Sequence, residues 1–521
     1  MNIAQGLAHA KKVNGNRLAV VCGDIRYTWN DFDQRTDALA RGLASFGVRS
    51  GDRVAVLMLN CHRYLELYYA CARMGAVIVP LNIRLARPEI VFILNDSESR
   101  ALVVDKAFAP YATGRDTFPT VQSVIYAGDE APADMVNFED VVSKGTHMQE
   151  SVDQEMEDDD LSGLYYTGGT TGRAKGVMLS HKNVVSNAIH IILSASYTER
   201  DIYLHAAPMF HVADIASTFS ITMLGARHVF IPLFNPVQVM QMIQQEKITR
   251  TLLVPTMINA VLNLPDIDQY DISSLHSLIY GASPMPVELL KKGLEMWGKV
   301  FRQGYGMTET APLLTILDPL DHIPDGTPEE VQRLSSCGKE VLGVEVRVVN
   351  AGGEDVKPGE IGEIIARGPN IMQGYWNMPE ATAEAIVDDW MHTGDLATVD
   401  EQNYIYIKDR ARDMIISGGE NIYSVEVENA LYTHPAVLEV AVIGIPHEVW
   451  GEAVHAVVVC KPGMNTTSEE LIAHTHTLIA GYKAPRSIEF LSEALPKSGA
   501  GKILKRNLRD KYWAGKSRNV N

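Results

Sequence analysis

Residues 165–181, YYTGGTTGRAKGVMLSH, place Gly168, Gly169, Gly172 and Gly176 among the hydroxyls of Thr167, Thr170 and Thr171, with Arg173 and Lys175 in the same turn. Glycines let backbone N–H groups close around an anion, hydroxyls donate to its oxygens, and cations offset its charge. The composition is that of a phosphate cradle. It is not a Walker A loop, because Gly172 is followed by Arg173 and Ala174 rather than by Lys and a hydroxyl residue. Residues 303–310, QGYGMTET, set Gly304 and Gly306 around Tyr305, followed by Met307, Thr308 and Glu309. Glycines around an aromatic suit a slot for a flat base, and a carboxylate beside a hydroxyl suits a magnesium ion on phosphate oxygens. Residues 392–400, HTGDLATVD, present Asp395 after a glycine, where a carboxylate can take both hydroxyls of a ribose. Two further stretches, DRARDMIISGGENIYSVEVE at 409–428 and LPKSGAGKILKRNLR at 495–509, are dense in charge and glycine.

These residues lie far apart in the chain, so a fold must gather them. The first half alternates strand-like and helix-like segments. Residues 53–59 (RVAVLML) read as a buried strand, 64–74 have helical spacing, and 76–80 (AVIVP) return to strand. That is a βαβ unit, which implies parallel sheet. Strand signals recur at 101–105, 229–232, 251–255 and 277–281, and 318–330 read as loop. The acidic run at 155–160 (EMEDDD) reads as a solvated linker. After residue 341, VEVRVVN, GEIIARG and YIYIKDR alternate like antiparallel strands, and beyond residue 413 a compact α+β pattern follows. A domain boundary falls near 409–413, giving domains 1–411 and 412–521.

At 521 residues the chain exceeds what one hydrophobic core supports. Its 46% hydrophobic and 21% charged content is that of a globular protein. A net charge of −18 argues against a general nucleic-acid or acidic-membrane binder, so a polyanionic ligand needs locally placed cations. The N-terminus has no apolar run suited to a signal peptide, and the longest apolar segment falls short of a membrane span. The five cysteines form no CxxC pair, which with the missing signal suggests reduced thiols and a cytoplasmic location.

Taken together the motifs resemble the adenylate-forming superfamily of acyl- and aryl-CoA synthetases, luciferases and peptide-synthetase adenylation domains, over nearly the whole chain. The resemblance implies an α/β fold: a large N-terminal domain of αβαβα sheets plus a distorted barrel, a small mobile α+β lid, and an active site between them. It implies ATP, Mg2+ and coenzyme A, a small carboxylic acid as substrate, and allows a homodimer.

The resemblance also assigns roles. Thr167, Gly168, Gly169, Thr170, Thr171, Gly172 and Lys175 match the loop that grips the ATP β- and γ-phosphates. Gly281, Ala282 and Ser283 match the segment beside adenine and acyl group. Gly304, Tyr305, Gly306 and Met307 match the adenine slot, Thr308 the α-phosphate contact, and Glu309 the magnesium carboxylate. Asp395, Ile407 and Arg410 fall on the ribose side. His211, in APMFHVAD, matches the gate between acyl and nucleotide sites, and Lys502 the catalytic lysine. Physically, a carboxylate attacking a phosphate brings two anions together, and a cation bridging their oxygens relieves the repulsion. Lys505, Arg506 and Arg509 read instead as solvated basic residues.

For thioester formation the resemblance has the lid rotate at Arg412, bringing Gly418 and Gly419 to a pantetheine tunnel, with Trp450, Tyr482 and Lys483 near the CoA nucleotide. Gly168 and Ala174 depart from the usual Ser and Pro, which should loosen the phosphate loop. The leading reading is an acid–CoA ligase; the alternative is an enzyme that loads a carrier-protein pantetheine. Val212 follows His211 where amino-acid activators carry Asp, although Asp214 is near. The acyl pocket is expected from His211, 254–261, 280–283 and 311–316, mostly small or apolar residues, which disfavours diacids and leaves fatty, alicyclic and aryl acids.

Overall fold

Short apolar strands alternating with amphipathic helices build two large sheets in the computed structural model, which describes residues 2–167, 174–411, 413–499 and 501–514. Arg53–Leu57, nearly all buried, pairs in parallel with Val77–Pro80 across helix His62–Met74, which closes at Gly75 with φ 69°. Parallel strands covered on both faces read as continuous apolar runs, which is why this unit is visible in sequence. It sits in an eight-stranded sheet that also holds the antiparallel pair Leu161–Thr167 and Lys175–Ser180. A nine-stranded sheet contains Ser277–Gly281 and Phe301–Gly306, and the N-terminal strand Leu18–Cys22 lies in it between Arg227–Phe230 and the edge strand Ile25–Thr28. A five-stranded sheet joins Glu345–Val349, Gly362–Arg367, Trp390–Val399 and Ile405–Arg410. Another sheet of five strands begins at Ile415 and centres on Val437–His447 and Gly451–Cys460, with helix Ser424–Tyr432 packed on it.

Three local expectations need correction. The strand expected at 229–232 runs Arg227–Phe230. The strand expected at 251–255 stops at Leu252, because Pro255 opens helix Pro255–Leu262, where a missing N–H is harmless. The loop at 318–330 contains a helical turn at Pro319–Asp321 and the start of helix Pro328–Arg333, held by a capping box on Thr327. The acidic run at 155–160 is mostly exposed, and the five cysteines are free. Among the described residues no helix is long and apolar enough to cross a membrane.

Candidate active site

Several of the predicted residues sit on paired strands. Thr167 and Lys175 are register partners at the base of a hairpin. Gly168, Gly169, Thr170, Thr171, Gly172 and Arg173 lie outside the described residues, as does Arg412. Gly281 pairs with Gly304, and a Cβ on Gly281 would stand 2.2 Å from the Gly304 carbonyl oxygen. A Cβ on Gly306 would stand 1.6 Å from the Pro312 oxygen. Both glycines therefore allow backbones to approach, a requirement separate from any base slot. Beyond Gly281 the chain turns through Ala282 at φ 63° to the half-buried Ser283.

Tyr305 is half-buried and packs in one apolar cluster with Ile407. Its hydroxyl donates to Asp395 Oδ2 at 2.8 Å. Asp395 and Arg410 are cross-strand partners, and Arg410 Nε lies 3.3 Å from the other carboxylate oxygen. The aromatic, the carboxylate and the cation predicted for adenine and ribose thus touch one another. Glu309 follows Met307 and Thr308 in the 3-10 turn Thr308–Thr310 and is only 7% exposed. Its Oε1 accepts from the Tyr375 hydroxyl at 2.9 Å. Burial pushes the Glu309 carboxyl up, against the pull of its own backbone N–H, Tyr375, Arg410 and Lys175. The Lys175 ammonium sits 4.6 Å from the centre of the Tyr375 ring. One carboxylate beside a cationic hairpin fits magnesium, which binds through one or two carboxylates, substrate phosphates and waters. Sequence reasoning did not single out Tyr375; only its closeness in space to Glu309 reveals it.

His211 caps helix Val212–Leu224, its Nδ1 accepting from the Ala213 N–H at 3.2 Å. Burial lowers its pKa to about 4; the Asp214 carboxylate opposes this, and the Lys502 ammonium adds to it. A value that low leaves the imidazole neutral near pH 7. Lys502 lies in a tight hairpin, with the Ser498 N–H on the Lys502 oxygen at 2.7 Å. Arg84 donates to the Ser498 oxygen at 2.9 Å, and Thr256 to the Gly501 oxygen at 3.4 Å, seating the hairpin on the N-terminal half. Beside it a cavity of about 740 Å3 opens between Arg84, Phe234, Met257 and Lys497. Part of the helix expected to line the acyl pocket, at Thr256, Met257, Asn259 and Ala260, faces this cavity.

Asp214 is fully buried. Its Oδ1 accepts from Tyr203 at 3.0 Å, and its Oδ2 lies 2.7 Å from His205 Nδ1. His205 Nε2 meets His228 Nδ1 at 2.9 Å, and His228 Nε2 meets Thr222 at 3.0 Å. This carboxylate is committed to the core and does not await a substrate ammonium.

The residues expected at the CoA step are not gathered at His211. Gly418 and Gly419 are left-handed, at φ 62° and 88°, and exposed; Gly418 neighbours Trp450. Trp450 and Tyr482 are exposed at 37% and 45%. Lys483, expected to meet a phosphate, is held by both oxygens of Glu426 at 2.7 and 2.8 Å. Lys505 is not the solvated residue expected. It lies 2.7 Å from Glu428 and donates to Ser424, which itself donates to Asp409 at 2.7 Å. Helix Lys505–Trp513 turns this side chain inward, a direction its basic neighbours conceal.

A sequence model described as AMP-binding enzyme matches residues 7–376, and one for the AMP-binding enzyme C-terminal domain matches 426–502. The chain belongs to this family. Within the AMP-binding enzymes it falls in the acyl-CoA ligase branch. It is 40% identical to a feruloyl-CoA synthase from an Amycolatopsis species over 506 residues, covering 96% of this chain and 97% of the relative. It is 34% identical to the fatty acid–[acyl-carrier-protein] ligase ScoC of Streptomyces coeruleorubidus, covering 96% and 95%. An anthranilate CoA ligase, AuaEII, solved with anthranoyl-AMP, superimposes with a TM-score of 0.90 at 28% identity, over 98% of this chain and 97% of that one. This AMP-binding enzyme is therefore an acid–thiol ligase with the mixed α/β architecture of its adenylating neighbours.

Proposed function

We propose that the protein adenylates a hydrophobic carboxylic acid with ATP and passes the acyl group to coenzyme A, with domains 1–411 and 412–521 working as adenylation domain and lid in the cytoplasm. The observation that supports this reading is the seating of the Lys502 hairpin on the N-terminal half, with Arg84 donating to the Ser498 oxygen and Thr256 to the Gly501 oxygen, which would bring a cation from the C-terminal half to meet acid and phosphate. A carboxylate oxygen attacks the α-phosphorus and pyrophosphate leaves; Lys502 offsets the charge of both reactants. Asp395 and Arg410 hold the ribose, Tyr305 the adenine, and the neutral His211 closes the acyl side against water. Glu309 would hold magnesium, which when bound neutralises charge on the phosphate oxygens. The CoA sulfur, having lost its proton, then attacks the acyl carbon and AMP leaves.

Coenzyme A is favoured over a carrier protein because the feruloyl-CoA synthase is the more similar of the two named relatives, and the superimposed AuaEII is also a CoA ligase. The same two proteins make an aryl acid the leading substrate class, ahead of fatty and alicyclic acids. The test is a panel of aryl, alicyclic and fatty acids, assayed for pyrophosphate and for AMP with and without CoA. Acid-dependent pyrophosphate and CoA-dependent AMP are expected, highest with an aryl acid. Pyrophosphate release that no acid stimulates sinks the proposal; release without CoA-dependent turnover moves it to the carrier-protein reading.

A further inference from the structure

Tyr375 joins two parts of the site that the chain otherwise keeps separate. Its backbone pairs with Val177 on the strand that begins at Lys175, and the Trp376 N–H next to it donates to the Gly176 oxygen at 2.7 Å. Three residues earlier, the Met372 N–H donates to the Glu309 carbonyl at 2.9 Å. The segment 372–376 is thus bonded to the phosphate hairpin on one side and to the acidic turn on the other. The Tyr375 side chain repeats that bridge. Its ring lies under the Lys175 ammonium at 4.6 Å, and its hydroxyl donates to Glu309 Oε1 at 2.9 Å. Among the described residues, Glu309 Oε2 receives no side-chain hydrogen bond, so one oxygen is fixed and the other remains for a cation.

We propose that Tyr375 is a positioning residue, whose hydroxyl fixes the orientation of the Glu309 carboxylate for a divalent cation and whose ring face holds the Lys175 ammonium toward the triphosphate. The inference rests on the ATP-dependent reading above. A buried carboxylate has its rotation restrained by the few donors that reach it, and the Tyr375 hydroxyl is the side-chain donor on Glu309. An ammonium over an aromatic face keeps its N–H groups free for anions while its position is restrained.

The two contacts can be removed one at a time. Tyr375→Phe deletes the hydroxyl and keeps the ring; Tyr375→Leu deletes both. ATP binding is measured by calorimetry without acid or CoA, first in EDTA and then at increasing Mg2+, with melting temperature as the check on folding. For Y375F, ATP affinity in EDTA is expected to equal wild type, while the Mg2+ concentration that half-enhances binding rises about tenfold, the scale of one hydrogen bond to a charged group. For Y375L, affinity in EDTA falls as well. In pyrophosphate exchange, Y375F should recover its turnover at saturating Mg2+, a split that a general packing defect would not produce. Y375F with wild-type Mg2+ dependence, or with weakened binding already in EDTA, overturns the proposal. If wild type itself fails to bind ATP with Mg2+, the ligase reading is what fails, and this inference falls with it.

Discussion

Replacing Asp214 by Leu and by Asn should give opposite results, because the relay behind helix Val212–Leu224 can run in either proton direction. With Asp214 ionised, His205 donates from Nδ1, so its Nε2 must accept from His228 Nδ1, and His228 Nε2 must accept from Thr222. Burial pushes His228 well below the usual imidazole range. Asn at 214 can donate to His205 Nδ1, and the whole chain then reverses: His205 donates to His228, His228 to Thr222, and Thr222 to the Thr218 oxygen at 3.2 Å. Every group stays satisfied and a buried charge disappears, so Asp214→Asn should change stability by no more than about 1 kcal/mol. Leu removes the Asp214 oxygens that partner the Tyr203 hydroxyl and His205 Nδ1 in a fully buried site. At about 1–3 kcal/mol for each stranded group, Asp214→Leu should cost about 2–6 kcal/mol. That is a large part of the ~5–15 kcal/mol that holds a domain folded. The assay is urea unfolding followed by tryptophan fluorescence; Trp29 reports on the relay, since its ring packs edge-on against His228 at 5.9 Å. Asn as damaging as Leu, or Leu as harmless as Asn, would refute the relay as drawn.

Lys502→Ala should lower pyrophosphate release by several orders of magnitude while sparing thioester formation from supplied acyl-adenylate; equal loss of both would remove the role given to Lys502. Acid should destabilise the fold through buried histidines: burial lowers His62 to about 3 and His181, His211 and His322 to about 4. Folded pKa values below the unfolded 6.5 mean that the unfolded chain binds more protons, so this stability is complete above about pH 6.5 and is lost as pH falls toward 4. His62→Phe, which removes two ring nitrogens that find no hydrogen-bond partner among the described residues, should flatten the fall in melting temperature between pH 6.5 and 5; an unchanged slope would contradict the sign.

How much was legible in the sequence depended on how local each signal is. The βαβ unit at 53–80 was readable because parallel strands buried on both faces are unbroken apolar runs. The strand forecast at 251–255 ran too far because Leu252 and the next residues stay apolar while the backbone turns into a helix. Lys505 was misjudged because its partners, Glu428 and Ser424, are distant in sequence from it.

The sequence by itself determined the chemistry available: a glycine- and hydroxyl-rich hairpin, the carboxylates Glu309 and Asp395, and Lys502 near the C-terminus. It did so because those functions need particular residue types at short spacings. Only the tertiary structure decided which groups are committed and which remain free to act. Asp214 has the same carboxylate as Asp395, yet one is locked into a buried histidine relay while the other meets Tyr305 and Arg410 at the site. Tyr375 became visible only beside Glu309. Hydrogen bonding and burial depend on what lies within a few ångströms, and in a folded chain those neighbours come from anywhere in its length.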